Sequence, residues 1–83
     1  LYDNYPNPFN PATTIRFALP QDEHVKLSVF NVRGQQIAVL FDGKLEAGLH
    51  DVTFQARDYA SGLYFYKLEA GDLILNKKMM LIK

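Results

Sequence analysis

Apolar and polar residues alternate along most of this chain, and the period is two. Ile15, Phe17 and Leu19 fall on one face of a first run, and Val25, Leu27 and Val29 on one face of a second, with Lys26 and Ser28 opposite. Ile37 and Val39 mark a third run. His50, Val52 and Phe54 alternate with Asp51, Thr53 and Gln55 in a fourth, and Tyr64, Tyr66 and Leu68 oppose Lys67 and Glu69 in a fifth. Successive strand side chains point to opposite faces, so such runs predict half-buried strands with Lys67 and Glu69 exposed. Turn signals separate them at Pro20-Gln21-Asp22, Arg33-Gly34, Asp42-Gly43, Ala47-Gly48, Ser61-Gly62 and Gly71-Asp72. No window carries a sustained 3.6-residue repeat with caps. The pattern predicts an all-β sandwich of six or seven short, mainly antiparallel strands.

The last hairpin yields a register. Gly71-Asp72 between Ala70 and Leu73 suits a two-residue primed turn, which sets Leu68 opposite Leu75, Tyr66 opposite Lys77 and Tyr64 opposite Met79. Paired residues share a face, so Tyr64, Tyr66, Leu68, Leu73, Leu75, Met79 and Leu81 are expected to point inward. Lys77 is the anomaly on that face. Its stem lies along Tyr66 while its ammonium reaches an edge, unless a one-residue bulge puts Lys78 there instead. Leu63, Phe65, Ile74, Met80 and Ile82 fall on the opposite face. Met79-Met80-Leu81-Ile82 is thus apolar on both sides: either the strand is covered on both faces, the simpler expectation, or it presents a patch to a partner. Gly62-x-Tyr64 at the start of a late strand matches the tyrosine corner of immunoglobulin-like sandwiches. Asn31-Val32-Arg33-Gly34 reads as a type I turn closing on a glycine of positive φ.

The opening is of a different kind. Pro6, Pro8 and Pro11 lie within Asn4-Tyr5-Pro6-Asn7-Pro8-Phe9-Asn10-Pro11, removing three backbone donors. Each residue before a proline is pushed toward extended geometry. Residues 1–12 are expected to form a stiff extended lead-in, with Pro6, Asn7, Pro8, Phe9, Asn10 and Pro11 as a brace, and 13–83 the sandwich.

Eighty-three residues make one small domain with a thin stability margin, and there is no cysteine to staple it. That removes thiolate nucleophiles, disulfides and cysteine zinc sites, and leaves stability to the packing of apolar side chains. Net charge is zero but uneven. Residues 1–72 hold nine acids and six bases, −3, whereas 73–83 hold Lys77, Lys78 and Lys83 and no acid, +3. A nucleic-acid surface needs a broader basic field. No apolar run approaches the ~20 residues of a membrane-spanning helix. A chain opening at Leu1 with a proline brace and no signal peptide reads as a module from the end of a longer protein.

Catalytic constellations are missing. His50 and Asp51 are strand neighbours and point to opposite faces, which excludes a dyad. His24 follows Asp22-Glu23 in a predicted turn. Ser28 lies in a strand and Ser61 precedes a turn glycine. No nucleophile elbow, helical zinc pair or phosphate loop occurs. Asp42, Asp58 and Asp72 read as turn formers, not calcium ligands. No cofactor is expected.

Five ordered stretches carry a family resemblance. They are Tyr5-Pro6-Asn7-Pro8-Phe9-Asn10-Pro11 with Thr13-Thr14-Ile15 and Leu19-Pro20; Val29-Phe30-Asn31-Val32-Arg33-Gly34-Gln35; Ala47-Gly48-Leu49-His50; Ala60-Ser61-Gly62-Leu63-Tyr64-Phe65-Tyr66; and Lys77-Lys78-Met79-Met80-Leu81-Ile82-Lys83. Together they resemble the C-terminal sorting domain of the type IX (Por) secretion system over essentially the whole chain. The resemblance implies a non-catalytic monomer that follows an upstream cargo domain through the periplasm. An outer-membrane translocon would recognise it, and a sortase-like peptidase would remove it as the cargo is attached to the outer-membrane surface or released. It also singles out Gly62, Tyr64, Lys77, Lys78, Met79, Met80, Leu81, Ile82 and Lys83 for partner recognition. The alternative is an accessory carbohydrate-binding or structural module of a secreted enzyme. Sugar binding would require at least three of Tyr2, Tyr5, Phe9, Phe30, Phe41 and Tyr59 on one exposed platform.

Overall fold

In the computed structural model, which describes all 83 residues, six antiparallel strands form two facing sheets. They are β1 (Ala12–Leu19), β2 (Glu23–Phe30), β3 (Gln36–Leu45), β4 (Gly48–Gln55), β5 (Gly62–Ala70) and β6 (Leu73–Leu81). β1 pairs with β4, and the larger sheet has the order β3-β2-β5-β6. The expected immunoglobulin-like β-sandwich is therefore present, with six strands. Its core is the set of inward positions from both sheets: Ile15, Phe17, Leu19 and Phe54 face Val25, Leu27, Val29, Tyr66, Leu68, Met79 and Leu81. Alternation places them there because burying one face of each sheet is the main apolar gain open to a chain this short.

The β5–β6 register is the expected one. Ala70 pairs with Leu73, Leu68 with Leu75, Tyr66 with Lys77 and Tyr64 with Met79, with no bulge. Gly71 has φ +59° and no other residue of the loop has positive φ, the pattern of a type II′ turn. Gly34 at φ +80° likewise closes the β2–β3 turn, donating its N–H to the Asn31 carbonyl at 3.0 Å. The tyrosine corner is also formed: the Tyr64 hydroxyl donates to the Ala60 carbonyl at 2.6 Å.

Several expectations are corrected. Asp42-Gly43 is not a turn but lies inside β3, where Asp42 pairs with Lys26 and Gly43 with Val25. The β2–β3 register shifts between Leu27 and Ser28, so Leu27 faces Phe41 while Ser28 faces Val39. That extra residue turns Val39 outward, 44% exposed. Ser28, expected on a polar outer face, is fully buried. β2 is flanked on both sides, Ser28 sits between Val39 and Lys67, and the Lys67 ammonium reaches over the Phe30 ring at 5.0 Å. Lys67 and Glu69 are half-buried, not exposed, and form an ion pair at 3.6 Å. Leu73 belongs to the inward register but is 51% exposed, because it lies at the hairpin end where the smaller sheet no longer covers it.

The opening segment lies against both sheets. Tyr5 and Thr14 exchange backbone hydrogen bonds at 2.9 Å, and Tyr2 N–H donates to the Arg16 carbonyl, so this stretch covers the free edge of β1. Farther on, Phe9 bridges Leu81 in parallel: its N–H donates to the Met80 carbonyl and its carbonyl accepts from Ile82 N–H. The peptide bonds preceding Pro6, Pro8 and Pro11 are cis.

Candidate recognition surface

The residues singled out at the chain's end divide by face. Tyr64, Met79 and Leu81 are buried, whereas Lys78, Met80, Ile82 and Lys83 are exposed. The simpler expectation for Met79-Met80-Leu81-Ile82, burial on both sides, is corrected: Met80 is 38% and Ile82 52% exposed. A sandwich of two layers covers only one face of each sheet, and nothing packs on the outside of β6. Leu63, Phe65, Met80 and Ile82 thus form an apolar stretch on the outer face of the β5–β6 hairpin, with Leu63 paired to Met80 and Phe65 to Lys78.

The three lysines differ. Lys77 is the inward residue that pairs with Tyr66, and its ammonium leaves the core to meet Asp3 at 3.0 Å. This is the snorkelling arrangement, anchored by an acid on the opening segment. Lys83 donates its ammonium to the Arg57 carbonyl at 2.6 Å. Lys78 takes part in none of the ion pairs. Between Lys77, Lys78 and the segment Asp3–Pro8 lies a cleft of about 600 Å³.

Beneath that cleft is a buried polar network that sequence reasoning missed. The Tyr66 hydroxyl donates to the Tyr2 carbonyl and accepts from Asn4 N–H, both at 2.9 Å. Asn4, itself buried, donates from Nδ2 to Thr13 Oγ1 at 3.0 Å, and Thr13 Oγ1 donates to the Pro6 carbonyl at 2.9 Å. The one sequence signal was Tyr66 on a core face: a buried phenol requires a polar partner. Burial pushes the Tyr66 phenol above the ordinary tyrosine value; the nearby Asp3 charge adds to this and the Asn4 hydrogen bond opposes it. The folded state then holds its proton to higher pH than the unfolded chain does. Stability from this group is full below about pH 10 and declines as pH rises through the folded value. Tyr66→Phe is therefore expected to flatten the alkaline fall in melting temperature above about pH 10. An identical alkaline profile in the two proteins would show that the phenol does not couple to folding.

His50 and Asp51 point apart as expected. His50 donates from Nε2 to the Glu46 carbonyl at 2.7 Å and packs on Phe17, while Asp51 receives a two-point ion pair from Arg16 at 2.7 and 3.0 Å. The guanidinium hydrogen bond holds Asp51 below the usual carboxylate range, and Asp51 raises Arg16 in turn. Both side chains are half exposed, so this pair adds little to stability. His24 pairs with Asp42 across two strands at 2.9 Å, at the surface. No group of three or more His, Asp or Glu side chains is placed to hold a metal ion. No helix is long and apolar enough to cross a membrane.

The aromatic set needs correction at one residue. Phe9 is 1% exposed and packs in the core 6.1 Å from Phe54, so it belongs to no surface platform. Of the other five aromatics, Tyr2 and Tyr5 are exposed, while Phe30, Phe41 and Tyr59 are half-buried. Two exposed rings fall short of the three a sugar platform requires.

Comparison with known proteins accords with this geometry. The family model described as "Secretion system C-terminal sorting domain" matches residues 3–83. No curated protein and no solved structure matches the chain. Domains of this family are sorting signals and in general not catalysts. With all but two residues of the chain matched, on a small β-sandwich, this chain belongs to the family of type IX secretion C-terminal sorting domains.

Proposed function

We propose that this domain is the non-catalytic passport of an upstream cargo protein: it directs the cargo from the periplasm across the outer membrane. An outer-membrane translocon reads it, and a sortase-like peptidase removes it when the cargo is attached to the surface or released. The family match over residues 3–83 carries the reading. The β6 surface supports it: Lys78, Met80, Ile82 and Lys83 are displayed, while Gly62, Tyr64, Met79 and Leu81 hold the strand that displays them. Lys77 and the brace Pro6–Pro11 fix the opening segment beside that surface. An exposed apolar and cationic strand suits recognition of shape and charge without chemistry on the domain itself.

The test is a secretory reporter fused ahead of residues 1–83 in a Gram-negative bacterium with a working type IX system. The fusion is expected at the cell surface or in the medium, and the reporter without the domain in the periplasm. Periplasmic retention of a folded fusion, or equal release of the bare reporter, would overturn the proposal. Purified domain is expected to show no hydrolysis of ester, peptide or glycoside substrates. Turnover abolished by changing His24 or His50 would contradict a purely non-catalytic role.

A further inference from the structure

The opening segment covers only half of the β6 edge. Within β6 the odd-numbered residues Leu73, Leu75, Lys77, Met79 and Leu81 pair toward β5 across the two-residue turn, so the even-numbered ones direct their backbone groups outward. Met80 and Ile82 confirm this. Met80 N–H donates to the Asn7 side chain, its carbonyl accepts from Phe9, and Ile82 N–H donates to Phe9. Ahead of them, Ile74, Asn76 and Lys78 direct an N–H and a C=O each toward solvent with no strand beyond.

The other edges differ. That of β1 is covered by Tyr2–Tyr5. That of β3 borders a ladder broken by two register shifts. That of β4 carries no Lys or Arg. The free half of β6 has no proline or bulge to discourage pairing. It pairs an exposed Ile74 with an exposed, unpartnered Lys78, and the apolar stretch of Phe65, Met80 and Ile82 adjoins it.

Resting on the export reading above, we propose that the translocon docks by adding one extended strand to this free half-edge. Along the one face that meets the outer side of the hairpin, at every second position, the added strand carries apolar and then acidic residues. Its backbone pairs with Ile74, Asn76 and Lys78; its apolar side chains meet Ile74 and Phe65; its carboxylates meet Lys78. Charge complementarity selects the partner: residues 73–83 carry three lysines and no acid, two of the lysines are engaged within the domain, and Lys78 is free. The seated Phe9 sets where the added strand must stop.

The test uses the reporter fusion with Asn76→Pro. A proline here removes only an outward N–H, a position edge strands tolerate, so the internal ladder stays whole. The melting temperature is expected to hold while the export rate falls several-fold, up to about ten-fold, the loss expected from one ladder hydrogen bond. Should Asn76→Pro unfold, Lys78→Glu gives the same reading. It alters only an exposed side chain, and export is expected to fall several-fold while Lys78→Arg stays near the original. Export of folded Asn76→Pro or of Lys78→Glu at the original rate overturns the proposal. So does a dimer at micromolar concentration that Asn76→Pro dissolves without affecting export, because a second copy then occupies the edge. If the unaltered fusion is itself retained, the export reading has failed instead.

Discussion

Tyr66→Ala is expected to lower folding stability by about 3–5 kcal/mol, the usual loss on truncating a buried aromatic. Tyr66 is fully buried at the centre of the larger sheet, between the ladders to β2 and β6. Its hydroxyl also ties down the opening segment through Tyr2 and Asn4. A domain of this size has roughly 5–10 kcal/mol in total, so the variant is expected to be partly unfolded at 37 °C. Tyr66→Phe keeps the ring and loses only the two hydrogen bonds, so about 1–3 kcal/mol is expected there. Denaturant titration of the three proteins separates packing from hydrogen bonding by the difference. If the Tyr66→Ala midpoint lies close to that of the parent, the ring does not hold the sheets together and this account of the core fails.

The extent to which the fold can be read from sequence follows from how far apart its causes lie. The β5–β6 register is local: a two-residue turn plus side-chain alternation determines it, and every expected pair is found. The inner faces of β1 and β2 are equally legible, since alternation needs no knowledge of the partner. Asp42-Gly43 misleads because its composition is that of a turn, while the pairing of β3 with β2 through Asp42–Lys26 and Gly43–Val25 overrides it. Val39 is misplaced by one extra residue in β3, which composition does not reveal. Ser28 looks solvent-facing until the strands on either side are known.

At the candidate recognition surface the same division holds. That Lys77 must leave the core was evident from its register opposite Tyr66. Its partner Asp3 was not, because the two residues lie at opposite ends of the chain. The brace was expected to be extended, whereas the chain bends through Pro6–Pro8 and at Asn10–Pro11, with each of the three prolines preceded by a cis bond. Its contacts were invisible for the same reason: a backbone stripped of donors at three prolines gives no hint of where the remaining N–H groups go. Here they go to β1 and β6, at Tyr2, Tyr5 and Phe9.

Phe9→Ala is expected to cost about 3–5 kcal/mol as well, although Phe9 sits among prolines and outside every strand. The ring fills the end of the core against Phe54, and its backbone closes the second half of the β6 edge. Truncation leaves a cavity that Ala cannot fill and loosens the parallel bridge to Leu81. Two readouts distinguish this from a mere spacer. The Ile82 amide, which donates to the Phe9 carbonyl at 3.0 Å, is expected to exchange with solvent much faster in the variant, while the central β2–β5 amides are least affected. Phe9→Leu, which restores most of the apolar volume, is expected to recover most of the stability. A Phe9→Ala protein with the parent's melting temperature and the parent's Ile82 exchange rate would mean that the opening segment rests on the sandwich without closing it. With Phe9 released, the Met80 carbonyl and the Ile82 N–H join the unpaired outward groups of Ile74, Asn76 and Lys78, so the residue that completes the core also shortens the free edge of β6.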